Sequence, residues 1–220
     1  MSDGFIEFTS RATLFDPEFA DDFYTKFSGV IYLTDEDGER IEIGAIYGTI
    51  IEIENLINYQ KSSELDELLD LTPEIHNYMS AIWDYTNNHY SEEIDPNNYF
   101  LCDTLILDKL YIYPEFNGNG YGLSAIQRTI EHFRRDNGAV VLFQAHPLQL
   151  EQDRRDYNSD KFNERMDLSR FESDKEKATK SLMNYYSKAN FKRIKGTTYM
   201  YKLEDGSLEH LVNGRTRKAY

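Results

Sequence analysis

One stretch of the chain runs through three structural signals in the order strand, glycine-rich loop and helix. Residues 99–112 form a long apolar run, which is typical of a strand covered on both faces of a sheet. Residues 123–135 place apolar side chains at helical spacing. Between them, residues 117–122 carry glycine at every second position. A buried strand that turns through glycines into a helix predicts an α/β fold.

The remaining patterns extend this unit in both directions. Alternating or buried apolar runs predict further strands at 5–8, 30–33, 41–53, 139–145, 191–194 and 199–203. The turn at 35–38 joins two of these strands as a hairpin. Helical spacing and helix-start signals predict helices within 60–98 and over 178–189. We therefore expect a mixed, mostly antiparallel central sheet flanked by helices on both faces.

A further helix is predicted near the start of the chain. The triplet Asp16-Pro17-Glu18 combines an N-cap acceptor with proline at the first helical position. Phe19, Phe23 and Phe27 then recur every four residues, as on one face of a helix. We expect this helix to end near Gly29.

The chain reads as one domain over residues 1–203, with insertions at about 60–98 and 148–177 and a tail over 204–220. The charges of the second insertion alternate in sign, which is typical of a solvated segment or mobile flap. Its plausible apolar anchors are Met166, Leu168 and Phe171. We find no repeat and no linker that divides the chain.

The charge of the chain narrows the choice of partners. The 220 residues carry 24 Lys+Arg against 39 Asp+Glu, a net charge of −15, which argues against non-specific binding of nucleic acid or anionic lipid. No apolar run is long enough to span a membrane. The one cysteine, Cys102, allows no internal disulfide and no thiolate-rich metal site. We expect a cytoplasmic protein without a bound metal.

The glycine-rich loop predicts an anion site. Alternating glycines let the backbone approach a ligand and turn N–H groups toward it, and the helix that follows adds its own unpaired N–H groups. The loop lacks the Gly-Lys-Ser/Thr of a mononucleotide loop, because Gly122 is followed by Leu123-Ser124. Its glycine spacing also differs from that of a dinucleotide fingerprint. A glycine-rich turn without a ligand stays the alternative.

Over residues 99–203 the chain resembles the GNAT superfamily of acetyl-CoA-dependent N-acetyltransferases. In that family a Leu-aromatic-Val-x-Pro strand leads into Arg/Gln-x-x-Gly-x-Gly/Ala and a helix. Here residues 110–114 read Leu-Tyr-Ile-Tyr-Pro and are followed by Asn117, Gly120 and Gly122. Asn117 departs from the usual arginine or glutamine, but the backbone amides are retained.

A second motif supports the resemblance. The family's Leu-Tyr-x-x-x-Gly-Phe is matched by residues 185–191, which read Tyr-Tyr-Ser-Lys-Ala-Asn-Phe. Asn190 replaces the glycine, and asparagine tolerates the left-handed conformation of a helix end. The two motifs follow one another in the order found in the family, which makes the pair more specific than either alone.

The resemblance implies a coenzyme A site and a catalytic mechanism. The thioester carbonyl is expected near the backbone N–H of Ile112, a candidate oxyanion donor. Tyr186 matches the family's proton donor to the departing thiolate. The residues expected to contact acetyl-CoA are Tyr111, Ile112, Asn117, Gly118, Asn119, Gly120, Tyr121, Gly122 and Leu123.

The catalytic base is less clearly marked. The strand glutamate of many relatives falls on Ile106, which cannot accept a proton. Asp108 shares the face of Ile106 if the strand is regular, whereas Asp103 lies on the other face. Asp108 is therefore the candidate base, and a strand-end carboxylate facing water is the alternative. A water relay or a neutral acceptor amine also fits.

Three other segments have weaker functional readings. His146 follows a strand near the expected acyl-CoA cleft, where a lone histidine is more often structural. Cys102 reads as a core residue. Trp83 and the tyrosines of 78–90 could line an acceptor pocket, with core packing as the default.

These features together predict an N-acetyltransferase that moves the acetyl group of acetyl-CoA to a primary amine on a small molecule or peptide. The acidic composition favours a cationic acceptor, such as a polyamine, an aminoglycoside-like amine or a basic peptide. The alternatives are a catalytically silent acyl-CoA-binding or protein-interaction module and a protein whose glycine turn is only structural. Homodimer formation is left open.

Overall fold

The computed structural model describes residues 3–11, 17–96, 102–134, 138–150 and 160–204. The end of the first insertion at 97–98, the start of the apolar run at 99–101, the predicted N-cap Asp16 and the tail beyond Glu204 lie outside the described residues.

A seven-stranded sheet forms the centre of the molecule, in the order β1-β2-β3-β6-β7-β9-β8. Neighbouring strands run antiparallel, except that β6 and β7 run parallel. A separate two-stranded ribbon joins β4 to β5. The strands are β1 (Gly4–Ser10), β2 (Tyr24–Thr34), β3 (Arg40–Ile51), β4 (Trp83–Asp84), β5 (His89–Tyr90), β6 (Asp103–Ile112), β7 (Ala139–Gln144), β8 (Lys192–Arg193) and β9 (Tyr199–Glu204). The mixed, mostly antiparallel sheet predicted from the sequence is confirmed.

Helices cover both faces of this sheet. Along β7, Val140 and Leu142 pack toward the helices of 53–79, whereas Val141 and Phe143 pack toward the two long helices of the other face. The helices are α1 (Ile53–Asn58), α2 (Leu65–Leu69), α3 (Pro73–Met79), α4 (Tyr121–Phe133), α5 (Asp160–Met166) and α6 (Lys175–Ser187). None of these described helices combines the length and the apolar character needed to cross a membrane.

Two local predictions are confirmed in detail. The β2–β3 hairpin turns through Asp35, whose Oδ1 accepts bonds from the N–H of Asp37 at 3.0 Å and of Glu39 at 2.8 Å. Helix α3 begins after Thr72, whose hydroxyl accepts a bond from the Ile75 N–H at 3.2 Å. Both are short polar side chains that satisfy backbone donors close by in sequence, which is why the sequence alone marks them.

The helix predicted over 16–28 is wrong. A short 3-10 turn occupies Ala20–Phe23, and β2 begins at Tyr24. Phe23 and Phe27 enter different hydrophobic clusters, so the four-residue spacing does not form one helical face. Pairing of β2 with both β1 and β3 gives this β-branched and aromatic segment more stabilisation than a helix could provide.

The described part of the 148–177 insertion is held more tightly than its alternating charges predict. Met166 is buried in a cluster with Tyr111 and Tyr113. The Arg165 guanidinium lies 3.5 Å from the centroid of the Tyr113 ring, and its Nε donates to Glu115 at 2.8 Å. Residues 160–170 are therefore docked on the sheet rather than fully solvated.

Candidate functional site

The parallel strands β6 and β7 separate part-way along their length. Their register runs from Asp103 opposite Ala139 to Ile106 opposite Leu142 and stops there. Strand β6 continues to Ile112 without β7 beside it. The separation opens a gap in the sheet at the carboxyl end of the parallel pair, where loops from both strands converge.

A largely apolar cleft of about 440 Å³ enters this gap on the α4 and α6 side. We call it the β6–β7 cleft. Its walls include Leu110, Ile126, Phe143, Leu182 and Tyr186. The glycine loop closes one end through Asn117, Gly118 and Gly122. The cleft thus joins an apolar channel to a mouth lined by backbone.

The free side of β6 presents backbone donors to this cleft. Tyr113 donates its N–H to Ile43 of β3 at 2.8 Å. Because N–H groups alternate in direction along a strand, those of Leu110 and Ile112 point away from β3, toward the side that β7 has left. The predicted oxyanion donor Ile112 therefore lies at the cleft, and Leu110 offers a second donor nearer Asp108.

The glycine loop holds its amides open. Gly118 and Gly120 have φ of +86° and +80°, and Gly120 is the N-cap of α4. The amides from Gly118 to Leu123 donate to no backbone carbonyl among the described residues. Asn117 differs, because its backbone N–H donates to the Pro114 carbonyl at 3.2 Å. Of the predicted contacts from Asn117 to Leu123, the residues from Gly118 to Gly122 thus have a backbone N–H to offer a ligand, whereas that of Leu123 donates to the Tyr185 hydroxyl.

Tyr185 is a residue of this mouth that sequence reasoning missed. Its hydroxyl lies so close to Gly122 that a Cβ there would be 2.7 Å from it. Burial raises the pKa of Tyr185, while a hydrogen bond from the Leu123 N–H acts in the opposite direction. The sequence shows the aromatic pair 185–186, but only the contact with Gly122 of α4 places Tyr185 at the glycine loop.

Tyr186, the residue that the resemblance marks as proton donor, lies in the wall of the β6–β7 cleft. Its ring packs 4.2 Å from that of Phe143 and 5.2 Å from that of Tyr185, between centroids. Burial raises the pKa of Tyr186 above its ordinary value, with a smaller contribution from Tyr185. The hydroxyl therefore stays protonated and acts as a hydrogen-bond donor.

A second cleft, of about 600 Å³, lies on the α3 side of the sheet. We call it the α3 cleft. Its walls are aromatic and charged, and they include Tyr24, Lys26, Thr49, Glu74, Tyr78 and Tyr199. Both clefts are lined by Asp108, Lys109, Gln144, His146 and Leu148. These shared residues place the meeting point of the two clefts at the gap between β6 and β7.

Asp108 owes its position to a β-bulge. The register between β3 and β6 passes from Tyr47 opposite Lys109 to Gly48 opposite Leu107, which leaves Asp108 as the extra residue. Its carboxylate accepts a bond from the Thr49 hydroxyl at 3.2 Å. The strand is not regular here, yet Asp108 does line the α3 cleft with Ile106.

The surroundings of Asp108 suit proton transfer. Its carboxylate reaches solvent through the cleft but has protein on most sides, and this burial raises the pKa of Asp108 to about 6. The Thr49 hydrogen bond and the charges of Lys26 and Lys109 oppose the shift, whereas Glu74 adds to it. A carboxylate of this basicity is ionised at neutral pH and can accept a proton.

The other sequence candidates divide between cleft and core. His146 is exposed where the clefts meet, and its N–H donates to the Gln144 carbonyl at 2.7 Å. Cys102 is a core residue, and burial raises the pKa of its thiol to about 12. Trp83 is buried against Tyr90, with ring centroids 5.0 Å apart.

Two predicted aromatic positions need refinement. The Tyr111 ring packs against Tyr113 and Phe162 at 5.6 Å and 4.9 Å, so this residue borders the cleft with its ring buried. Tyr78 lines the α3 cleft, and its hydroxyl receives a hydrogen bond from the Gln144 backbone. Lys26 and Thr49 carry no motif, and only the fold brings them to this cleft.

Comparison with known proteins adds no assignment. No protein-family model, curated protein or solved structure matches this chain. Function is therefore inferred from the geometry of the two clefts and the chemistry of the residues that line them.

Proposed function

We propose that this chain is an acetyl-CoA-dependent N-acetyltransferase of the GNAT type, which transfers an acetyl group to a primary amine. The observation that carries the proposal is the meeting of two clefts from opposite sides of the sheet at Asp108. A donor in one cleft and an acceptor in the other would bring the reacting atoms together at this carboxylate. Such positioning is a large part of the catalysis of group transfer.

The β6–β7 cleft fits coenzyme A in both chemistry and order. The open amides from Gly118 to Gly122, with the positive end of the α4 dipole, suit the diphosphate. The apolar channel beyond them suits the pantetheine arm, which can bond to the free edge of β6. A backbone cradle of this kind explains how a chain of charge −15 binds an anion.

The sheet also favours this assignment. The resemblance leads us to expect an acyl-CoA cleft at a splayed strand end, and the one parallel pair among the described strands, β6 and β7, separates after Ile106. The glycine loop follows the end of β6, so the diphosphate site and the gap lie at the same edge of the sheet.

The reaction follows from the groups at this meeting point. Asp108 accepts a proton from the acceptor ammonium, and the neutral amine attacks the thioester carbonyl. The oxygen that becomes negative is stabilised by the free N–H groups of Leu110 or Ile112. The C–N bond forms and the C–S bond breaks. Tyr186 stabilises the departing thiolate by donating a hydrogen bond to it. The nitrogen then releases a second proton, and the thiolate accepts it.

A matched pair of charge insertions tests the diphosphate site. Gly118 and Gly38 have nearly equal φ of +86° and +84°, and a Cβ at either meets nothing within 4 Å. Aspartate tolerates this conformation, so Gly118→Asp and Gly38→Asp carry similar backbone cost. We expect Gly118→Asp to weaken coenzyme A binding by at least about tenfold by repulsion. Gly38→Asp, in the β2–β3 hairpin, should leave the affinity unchanged when measured by calorimetry.

Turnover separates the enzyme from a silent binding module. Acetyl-CoA consumption is followed by thiol release against a panel of primary amines, with the wild-type chain and Tyr186→Phe. Release that depends on the amine and falls in the variant supports the enzyme. Coenzyme A binding without release for any amine would instead assign an acyl-CoA-binding module. Absence of binding would overturn both.

A further inference from the structure

We infer that the acceptor is a free α-amino acid, with its amine at Asp108 and its carboxylate on Lys26. The inference rests on the proposed acetyltransfer and names the acceptor class of that same site. It differs from the cationic acceptor that the acidic composition favours, because the α3 cleft contains a lysine as well as carboxylates.

Lys26 and Asp108 are connected across the sheet through Thr49. Lys26 of β2 is opposite Thr49 of β3, and Thr49 is opposite Ile106 of β6. The Thr49 hydroxyl donates to Asp108, two residues further along β6, at 3.2 Å. Strands are about 4.8 Å apart, so the backbone of Lys26 lies about 10 Å from that of Ile106 and somewhat further from that of Asp108.

An amino acid has the length to bridge these groups. Its amine and carboxyl carbon are about 2.5 Å apart through Cα. A charge-assisted hydrogen bond of about 2.8 Å at each end then joins protein groups about 8 Å apart. Both side chains line the α3 cleft, where the charge of Asp108 acts on Lys26, so a ligand of this length can extend from one to the other.

The ammonium of Lys26 is available for a ligand carboxylate. It makes no ion pair within the described part of the chain and lies 5.6 Å from the centroid of the Tyr24 ring. A hydrogen bond with Tyr24 raises the pKa of Lys26, and the charges of Asp108 and Glu74 add to this, while burial opposes it. Lys26 is therefore positively charged and accessible in the cleft.

The same charge disfavours the other amine classes. A polyamine has a second ammonium where the amino acid has its carboxylate, and Lys26 would repel it. Lys109 also lines the cleft and adds to the repulsion, while Glu74, whose charge acts on both Lys26 and Asp108, opposes it, and His146 lies with Asp108 where the two clefts meet. A simple alkyl amine would leave Lys26 without a partner, so it gains less on binding.

The aromatic walls suggest where the side chain of the amino acid lies. Tyr78 and Tyr199 meet edge to face with centroids 5.3 Å apart, and both line the α3 cleft. Flat rings of this kind pack well against an apolar or aromatic side chain. Phenylalanine is therefore a suitable probe.

The test compares three acceptors that differ at one group. Phenylalanine has the carboxylate, phenylalaninamide replaces it with an uncharged amide, and phenethylamine lacks it. With acetyl-CoA and wild-type protein, we expect kcat/KM for phenylalanine to exceed both others by at least tenfold. Lys26→Met should remove most of this preference by lowering phenylalanine turnover alone. Lys192→Met, an exposed lysine on strand β8, is the matched control.

The outcomes distinguish this inference from the proposed function. Equal or better turnover of phenethylamine or a polyamine would overturn the amino-acid assignment and leave the acetyltransferase standing. A preference for phenylalanine that survives Lys26→Met would overturn the role of Lys26. Turnover of no amine, despite coenzyme A binding, would remove the acetyltransferase and this inference with it.

Discussion

At the scale of single residues, Asp108 is the candidate base, because burial raises its pKa to about 6. We expect Asp108→Asn to lower kcat by about 10²–10⁴-fold, because the amide accepts no proton. For the wild type, kcat should rise with pH through about 6, where the carboxyl loses its proton. Asp108→Asn should abolish this increase of kcat with pH. Asp37→Asn, in the exposed hairpin turn, should change neither quantity, and a wild-type profile flat between pH 5 and 7 would exclude Asp108 as the base.

The same carboxyl gives a separate prediction about stability. The pKa of Asp108 is higher in the folded state than its ordinary value of 3.8, so the folded chain binds more protons between these values. Asp108 therefore lowers the free energy of unfolding as pH rises through this window. Relative to wild type, Asp108→Asn should gain stability between pH 4 and 6. Denaturant unfolding at several pH values measures this, and a difference independent of pH would contradict it.

In the proposed mechanism Tyr186 acts through its hydroxyl, while its ring packs against the hydrophobic cluster that contains Phe143. Tyr186→Phe keeps the contacts with Phe143 and removes the donor to the thiolate. We expect kcat to fall about 10²-fold with coenzyme A affinity unchanged. Tyr32→Phe, which lies away from both clefts, is the control. Steady-state kinetics with calorimetry separates the two effects, and an unchanged kcat would make Tyr186 a packing residue.

At the scale of elements, the bulge in β6 depends on a glycine in the strand beside it. A Cβ at Gly48 would lie 2.4 Å from the Ile106 carbonyl and 2.5 Å from the Phe27 ring. We expect Gly48→Ala to destabilise the chain by about 1–3 kcal/mol or more and to displace Asp108. At Gly4 the nearest atom is the flexible end of Leu33, at 3.2 Å, so Gly4→Ala should cost much less. Denaturant unfolding compares the two variants, and equal stabilities would contradict this reading.

Elements that depend on nearby sequence were predicted well, and those that depend on distant pairing were not. The hairpin turn at Asp35 and the start of α3 at Thr72 are set by side chains that bond within a few residues. The phenylalanines at 19, 23 and 27 have helical spacing, but the residues from Tyr24 onward form strand β2, which pairs with β1 and β3. The bulge at Asp108 has no mark in the sequence of β6, because it arises from the register with β3.

At the scale of the whole molecule, the candidate site also combines residues that nearby sequence marks with residues that only the assembled fold brings together. The glycine loop and Tyr186 were named because they lie in continuous motifs, and Asp108 because it lies two residues from the position of the family's strand glutamate. Lys26 was not named, and Tyr78 was named only as one of the tyrosines of 78–90, since both reach the site only when the sheet and its covering helices are assembled. The candidate acceptor site is built from several elements, so it is the part of the molecule that is hardest to predict from the sequence.

The proposed coenzyme A site in the β6–β7 cleft also predicts how ligand binding changes the stability of the whole molecule. Pairing of β6 with β7 covers four residues, and a ligand that contacts α4, β6 and α6 ties the two sides of this gap together. Coenzyme A at about 100 times its dissociation constant should raise the free energy of unfolding by about 2.7 kcal/mol. It should also slow amide hydrogen exchange in residues 121–133 and 107–112 more than in β1.

Adenosine provides the control for this last prediction, because it lacks both the diphosphate and the pantetheine arm. The diphosphate is expected on the loop amides and the arm in the gap, so adenosine at the same concentration should shift stability far less. Thermal unfolding and exchange measured by mass spectrometry report the two effects on one sample. Protection confined to the α3 side of the sheet, with α4 unaffected, would place the donor in the other cleft and reverse the assignment of the two sites.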